Sequence, residues 1–487
     1  MSTNAGDSVF RKPAPPQSGL KAALQYTGIP PSWLDKRPKL PSRNWLIFLG
    51  VTSAVAGYYI YDRHQCTRIK EEYVGKVKHL AEGPLHSLDY PRKVTVYGAK
   101  WPGDEDYGRG ILYFRKYVKP YLVAAAIDYE MISGRRHGDL AERIASDIKS
   151  RRRLALGLDP PPPGAMLLPT PSPEEKHRRE LEGGVIIVGR PTFKEFMAGL
   201  KRGWTEGLEV VDNEEKLSRE LENDGRFDEP ESEFSVEELN VDGEPIPTPS
   251  KLPPSKPFSV YTPPHLRNAE GQPHNPPSSE GSIPSSMNTP PPTIPHLPPI
   301  LFVNFVNYIG LTQIPLMIWD FFNERHKVRS GAEASYRLIM GQTRPFEAPL
   351  PQDHSTVISV DAITEPPKSN LSELSPSDLD FDKEAESYYK KSVVRDFESE
   401  ISKAREGYYK ELPKRLETAR ALARGTREPT KDERSYPPPT EVELRAERMK
   451  KELRWTSDER GWQIVTPNKD PEWDERFREA LRVFIDP

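Results

Sequence analysis

Apolar and polar positions are unevenly spread along this chain, and one apolar run stands out before any other. From Trp45 to Tyr61 (WLIFLGVTSAVAGYYIY) seventeen consecutive positions carry no charge, with Arg43 before them and Asp62-Arg63 directly after. As helix that is about 25 Å, the short end of what crosses a ~30 Å hydrocarbon layer. Trp45 opens the run and Tyr58, Tyr59 and Tyr61 close it, as rings seated at two membrane–water interfaces would. We read 45–61 as a transmembrane helix. A secretory signal would begin much nearer Met1, whereas some 44 polar residues come first. A buried core helix is the competing reading, because the run is short. Its abrupt charged flanks and lack of a polar face speak for lipid. Gly50, Ala54 and Gly57, at i, i+4 and i+7, line up as a candidate helix–helix contact; the plainer alternative is that they face lipid.

Beyond the span the pattern alternates between two periods. PRKVTVYGAK, AAIDYEMI and GGVIIVG (Gly183–Gly189) read as strands, the last apolar on both faces as a central strand is. Between and after them ILYFRKYVKPYLVAAA, bent or ended by Pro120, DLAERIASDIKSRRR and PTFKEFMAGLKRG read as helices. Strand and helix in alternation predict a soluble α/β domain with a small, mainly parallel sheet; a thioredoxin-like arrangement without cysteines is one form of it. Ile300–Phe322 (ILFVNFVNYIGLTQIPLMIWDFF) divides best into a strand, a loop and a helix starting at Pro315, with Ile318, Trp319 and Phe322 on one side. The alternative is a second or interfacial membrane segment, against which Asn304, Asn307, Gln313 and Asp320 count. Residues 378–426 read as a charged helical region interrupted at Pro413, and SYPPPT breaks the chain at 435–440. At the end GWQIV reads as a strand and WDERFREALRVF as an amphipathic helix, with Trp473, Phe477, Leu481 and Phe484 at helical spacing. That stripe docks on the domain's own surface or, alternatively, in a partner's groove.

Charge sets orientation and marks the linkers. Residues 1–44 carry seven basic and two acidic side chains, whereas 62–72 balance to zero. The positive-inside rule then keeps the N-terminus on the side of synthesis or matrix and sends the bulk of the chain across. Residues 206–244 hold 16 acidic against 3 basic side chains, and Pro245–Pro299 contains 18 prolines. Neither stretch buries enough apolar surface to offset its ordering entropy. The expected organisation is a basic segment (1–44), the span (45–61), the first part of the α/β domain with a membrane-proximal helix (62–210), and a disordered insert (211–299). The return strand and helix (300–345), a linker (346–377), the charged helical region (378–426), a proline-rich break (427–440) and a C-terminal strand and helix (441–487) complete it. Overall, 35% hydrophobic residues and 53 prolines predict one modest core with long linkers.

Nothing in the sequence composes a catalytic site. The one cysteine, Cys66, excludes a disulfide framework and any C-x-x-C pair. In GGVIIVGRP, Arg190 and Pro191 stand where backbone amides would face a phosphate, and no G-x-x-x-x-G-K-[ST] loop exists. Trp101-Pro102-Gly103-Asp104 follows the first strand where a thioredoxin-like domain holds its cysteines. The basic run Lys149–Arg153 has no interleaved stacking aromatics, so no nucleic-acid partner is expected. No enzyme activity, cofactor or metal is expected. An enzyme would require a convergent polar pocket at the strand ends, holding His137 or Asp128.

ILYFRKYVKPYLVAAAIDYEMI, DLAERIASDIKSRRR, GGVIIVGRPTFKEFMAGLKRG and IPLMIWDFFNERHKV, set behind one N-terminal span, resemble a known family. It is the fungal mitochondrial import inner membrane translocase subunit of fifty-four kilodaltons, a component of the carrier translocase. The resemblance covers roughly 18–210 and 300–345, more weakly the last thirty residues. It implies a single-pass inner-membrane protein with its N-terminus in the matrix and a large intermembrane-space domain. The implied partners are a multi-spanning channel subunit, small intermembrane-space chaperone complexes, carrier precursor proteins and inner-membrane lipid. It carries no catalytic residues over. A membrane-tethered adaptor or assembly factor for another inner-membrane complex, such as a protease, would share the same topology.

Overall fold

Short runs of β-branched and aliphatic residues form the sheet, and longer periodic segments cover it. The computed structural model describes residues 42–84, 91–159, 173–209, 213–228, 288–348 and 377–487. Residues 1–41 of the basic segment, 229–287 of the insert and 349–376 of the linker lie outside the described residues. Two units are distinguished, Met1–His64 and Gln65–Pro487. In the first, the described residues are the start of helix α1 (Arg43–Ala81). No helix among the described residues is long and apolar enough to cross a membrane.

The second unit is built on a six-stranded sheet of order β2-β1-β3-β4-β6-β5. Strands β1 (Lys93–Gly98), β2 (Asp128–Ser133), β3 (Val185–Val188) and β4 (Ile300–Val303) run parallel; β6 (Arg482–Phe484) joins parallel to β4. β5 (Thr343–Pro345) closes the edge antiparallel to β6. Between β1 and β2 lie α2 (Arg109–Tyr117) and α3 (Lys119–Ala124), split at Val118 just before Pro120. Then come α4 (Asp139–Ala155) and α5 (Pro173–Gly183) before β3, α6 (Arg190–Thr205) after it, and α7 (Asn213–Glu222). After β4 follow α8 (Ile314–Phe322) and α9 (Glu324–Met340). The C-terminal part holds α10 (Lys391–Ala423), α11 (Lys431–Ser435), α12 (Glu441–Val465) and α13 (Phe477–Ala480).

This strand order is doubly wound, not thioredoxin-like. The chain steps from β1 to β2 in one direction along the sheet and from β2 to β3 in the other. Right-handed crossovers therefore place the intervening helices on opposite faces. Val94, Val96, Ile186, Val188, Leu301 and Val303 pack with α2, α3, α9 and the second half of α1. Val185, Ile187 and Ile300 pack instead with α4 and α6. Every residue of β3 is buried, and each such aliphatic side chain contributes roughly 1.5–3 kcal/mol. On the second face Gly199 and Gly203 let α6 approach α4: a Cβ there would lie 2.8 Å from the Ala141 carbonyl oxygen and from Ile148 Cβ respectively.

Four local expectations are corrected. GWQIV is the end of α12, because Trp462 and Val465 face the core at helical spacing. The strand comes last instead: Val483 and Phe484 point to opposite faces of the sheet, which the i, i+4, i+7 reading of Phe477, Leu481 and Phe484 had concealed. Pro413 does not interrupt α10, since Leu412 and Leu416 beside it are buried in clusters shared with Trp455 and Leu444 of α12. That packing outweighs the ~3 kcal/mol an interior proline costs. Finally, within the insert 211–299, residues 213–228 and 288–299 are ordered. Residues 213–228 dock on the α10–α12 pair, where Arg448 ion-pairs with Asp224 and Arg420 donates to the Phe227 carbonyl at 2.5 Å. At the other end Leu297 donates to the Ala480 carbonyl and Val185 to that of Pro299.

Candidate functional site

In a doubly wound sheet, ligands bind outside the carboxyl ends of the strands where the order reverses, here between β1 and β3. That crevice is filled by the protein itself. Ala99, after β1, donates its N–H to Thr192 Oγ1 at 2.9 Å, and the same hydroxyl donates to the Val188 carbonyl at 2.6 Å. The Trp101 ring meets Phe305 and Tyr389 edge-on at 5.4 and 5.1 Å. Arg190, which stands where backbone amides would face a phosphate, is fully buried. Its Nε donates to Glu386 Oε1 at 2.8 Å and its Nη1 to the carbonyls of Leu379 and Phe381. Lys194, one turn later, donates to Glu386 at 2.7 Å and to the Thr466 carbonyl at 2.7 Å. Glu386 Oε2 accepts the Asn468 N–H at 2.7 Å. Burial raises the Glu386 carboxyl, but the hydrogen bonds from Lys194 and Arg190 prevail and hold it below the usual range. Two cations, one anion and backbone carbonyls thus satisfy one another, and the C-terminal segments 377–390 and 461–470 act as a plug.

The residues that would make an enzyme do not converge. Asp128 begins β2, at the opposite end of the sheet from His137. His137 is buried against the rings of Phe397 and Trp462, and burial followed by the Lys100 charge lowers it to about 4. Glu195 accepts the Leu140 N–H at 3.1 Å, yet burial pushes it up to about 8. Among the described residues His137 Nδ1 and Glu195 Oε1 have no hydrogen-bond partner, which fits an uncharged imidazole and a protonated carboxyl. The close seat of α12 over this loop requires Gly461, where a Cβ would collide with the His137 carbonyl oxygen. The basic run of α4 is also consumed internally. Arg152 donates to the Gly203 carbonyl at 2.6 Å, Arg153 pairs with Asp159, Arg151 with Glu180 and Lys149 with Glu206.

The candidate membrane residues all lie in α1. Trp45, Tyr58 and Tyr61 are exposed, as are Leu46, Ile47, Phe48, Leu49, Val51, Val55 and Ile60. Gly50 and Gly57 have open space where a Cβ would stand, and Ala54 is exposed with them. Thr52 donates to the Phe48 carbonyl at 2.8 Å, which satisfies its hydroxyl within the helix. Arg63 lies 4.8 Å over the ring of Tyr59. A second apolar element, α8, for which the sequence left a membrane segment open as the alternative to a helix of the domain, buries none of its residues. The signal was present in IPLMIWDFF, whose apolar side chains occur around the whole helix.

Residues 21–418 match the family described as inner membrane protein import complex subunit Tim54. The chain belongs to the Tim54 family. A relative from Cryptococcus neoformans var. neoformans serotype D, named mitochondrial import inner membrane translocase subunit TIM54, is 38% identical over 97% of this chain and 96% of its own length. Proteins of the same name from Yarrowia lipolytica and Schizosaccharomyces pombe are 30% and 31% identical over 40% and 35% of this chain, and 45% and 46% of theirs. A Tim54 protein is a non-catalytic subunit of an inner-membrane protein import complex.

Proposed function

We propose that this chain is a single-pass subunit of the mitochondrial inner-membrane carrier translocase, with its N-terminus in the matrix and its α/β domain in the intermembrane space. The family match over residues 21–418 carries the reading. The α1 segment supports the anchor despite its modest mean hydropathy. Four of the seventeen positions from 45 to 61 are Trp or Tyr, which lower that average but are favoured at the membrane interface. The remainder is a bare apolar helix surface, costly in water. The basic excess before the run supports matrix retention of the N-terminus.

In this role the domain acts by position, not by chemistry. Multi-spanning carrier precursors handed over by small intermembrane-space chaperones need a receiving surface beside a channel subunit. One helix tethering a 423-residue body, Gln65–Pro487, supplies that surface at high effective concentration. The strip Gly50, Ala54 and Gly57 contacts the multi-spanning channel subunit. The acidic run 206–244 attracts basic segments of precursors or chaperones, and its removal is expected to slow import and weaken its salt dependence. The deciding experiment is purification of the tagged full-length protein in mild detergent with identification of what accompanies it. A multi-spanning import channel supports the proposal; exclusive recovery of another inner-membrane complex, such as a protease, contradicts it.

A further inference from the structure

The hairpin of α10 and α12 carries a buried arginine whose anion comes from outside the hairpin. Arg448 on α12 is 2% exposed, and its Nε donates to the Tyr409 hydroxyl at 3.2 Å. The hairpin's own carboxylates are engaged elsewhere: Glu441 by Arg420 and Arg445, Glu447 by Arg415 and Lys451, Glu452 by Arg405. Among the described residues the ion pair of Arg448 is with Asp224, reached by both of its terminal nitrogens. A guanidinium that offers two N–H groups side by side selects a carboxylate.

Asp224 arrives with an aromatic ring three residues later. Gly225, at φ 67°, turns the chain, and Asp224 Oδ1 accepts the Arg226 N–H at 3.2 Å. The turn sets Phe227 against two apolar clusters of the hairpin, one with Tyr408, Leu412 and Trp455, the other with Leu416 and Leu444. Arg445 and Arg448 lie 5.2 and 5.6 Å over its ring, and Arg420 donates to its carbonyl at 2.5 Å. The pocket thus reads a carboxylate, a ring and one backbone carbonyl.

What covers this pocket is not itself core. From Glu214 to Asp228 no residue is buried, whereas Arg448 and Leu444 beneath it are. A helix that belongs to a core lays an apolar stripe on it, but α7 has only Leu217 and Leu221 to offer, both half-buried. The contacts concentrate in Asp224 and Phe227, the anatomy of a short motif held by an arginine and an aromatic anchor. In the same chain such a motif sits at high effective concentration and needs little affinity of its own.

We propose that this pocket is a recognition site for an acidic–aromatic segment of another protein, an Asp or Glu three residues before a Phe. Residues 213–228 occupy it in cis until such a segment displaces them. The buried Arg448 sets the sign of that partner, and the clusters beneath Phe227 set its apolar anchor.

The test uses the full-length protein in detergent, as wild type and as Asp224→Ala/Phe227→Ala, which removes both cis anchors. The probe is a fluorescein-labelled synthetic peptide of residues 213–228, read by anisotropy. Saturable binding to the variant is expected, at least about tenfold tighter than to wild type, where the tethered segment competes. Peptides carrying Asp224→Ala or Phe227→Ala are expected to bind the variant at least about tenfold more weakly. A serine- and alanine-based peptide that keeps only the Asp and the Phe at their spacing is expected to bind saturably as well. Failure of that last peptide means the pocket accepts only its own cover, and overturns the inference of an outside partner. No saturable binding of the native peptide, or equal binding of the substituted ones, overturns the site itself. Loss of helical circular dichroism in the variant makes the segment part of the hairpin's core, which equally overturns it.

Discussion

The guanidinium of Arg190 donates to Glu386 at 2.8 Å, joining the first residue of α6 to a segment 196 residues later. Glu386 also takes the Lys194 ammonium at 2.7 Å, so one carboxylate pairs with two buried cations, whose remaining N–H groups go to backbone carbonyls, where an α/β fold otherwise keeps its ligand crevice. Removing one partner of such a cluster leaves uncompensated buried charge and costs roughly 3–5 kcal/mol. Glu386→Ala is therefore expected to lower the unfolding midpoint of the detergent-solubilised protein and to expose the 377–390 segment to protease. Glu386→Gln, which keeps hydrogen-bonding atoms but loses the charge, is expected to fall between wild type and Glu386→Ala.

Stability should depend on pH through two buried groups of opposite sign. His137 is held near 4 against an ordinary 6.5, so its contribution is full above 6.5 and is lost as pH falls toward 4. Glu195 is raised from an ordinary 4.5 to about 8, so its contribution is full below 4.5 and is lost as pH rises to 8. Between 6.5 and 8 only the Glu195 effect operates of these two. Denaturation profiles across that window should show stability declining with pH in the wild type. In Glu195→Gln the decline should flatten.

The docked end of the acidic insert hangs on Arg448, which is buried, ion-pairs with Asp224, donates to Tyr409 and lies 5.6 Å over the ring of Phe227. Arg448→Ala is expected to cost about 1–3 kcal/mol through the lost charge-assisted hydrogen bonds. Limited proteolysis reads the outcome as new cleavage within 213–228. Unchanged cleavage there would mean that the helix pair holds this segment without the arginine.

Gly50 and Gly57 leave open space on α1. Replacing both with Leu should weaken recovery of the channel subunit in mild detergent while leaving the protein in the membrane fraction. The same change should leave the thermal unfolding of the soluble domain unmoved, because it touches no domain core. Undiminished recovery would assign the strip to lipid.

Much of the sheet was legible in the sequence because its strands are short, apolar and bounded by glycine or proline: VTVYG, VIIVG and ILFV announce themselves. What the sequence concealed was long-range. Nothing near Arg190 indicates that Glu386 will neutralise it, and nothing near Asp224 points to Arg448. Helical spacing in the last fifteen residues disguised a strand whose pairing with β4 and β5 decides its conformation. Pro413 looked like a break because propensity is local, whereas the packing of Leu412 and Leu416 is not. The candidate aromatic ends and small-residue strip lie in sequence order along α1. For α8 the sequence left two readings open, since an apolar helix reads the same whether it covers a core or faces lipid.

The account turns on which side of a bilayer the domain occupies and whether α1 enters that bilayer at all. The most direct measurement adds protease to mitochondria whose outer membrane has been opened, with alkaline carbonate extraction of a parallel sample. The prediction is a protein that stays in the carbonate pellet and is trimmed to a short fragment retaining only the N-terminal segment and the 45–61 helix. Release into the carbonate supernatant, or a C-terminal domain that survives protease until the inner membrane is also broken, would contradict it.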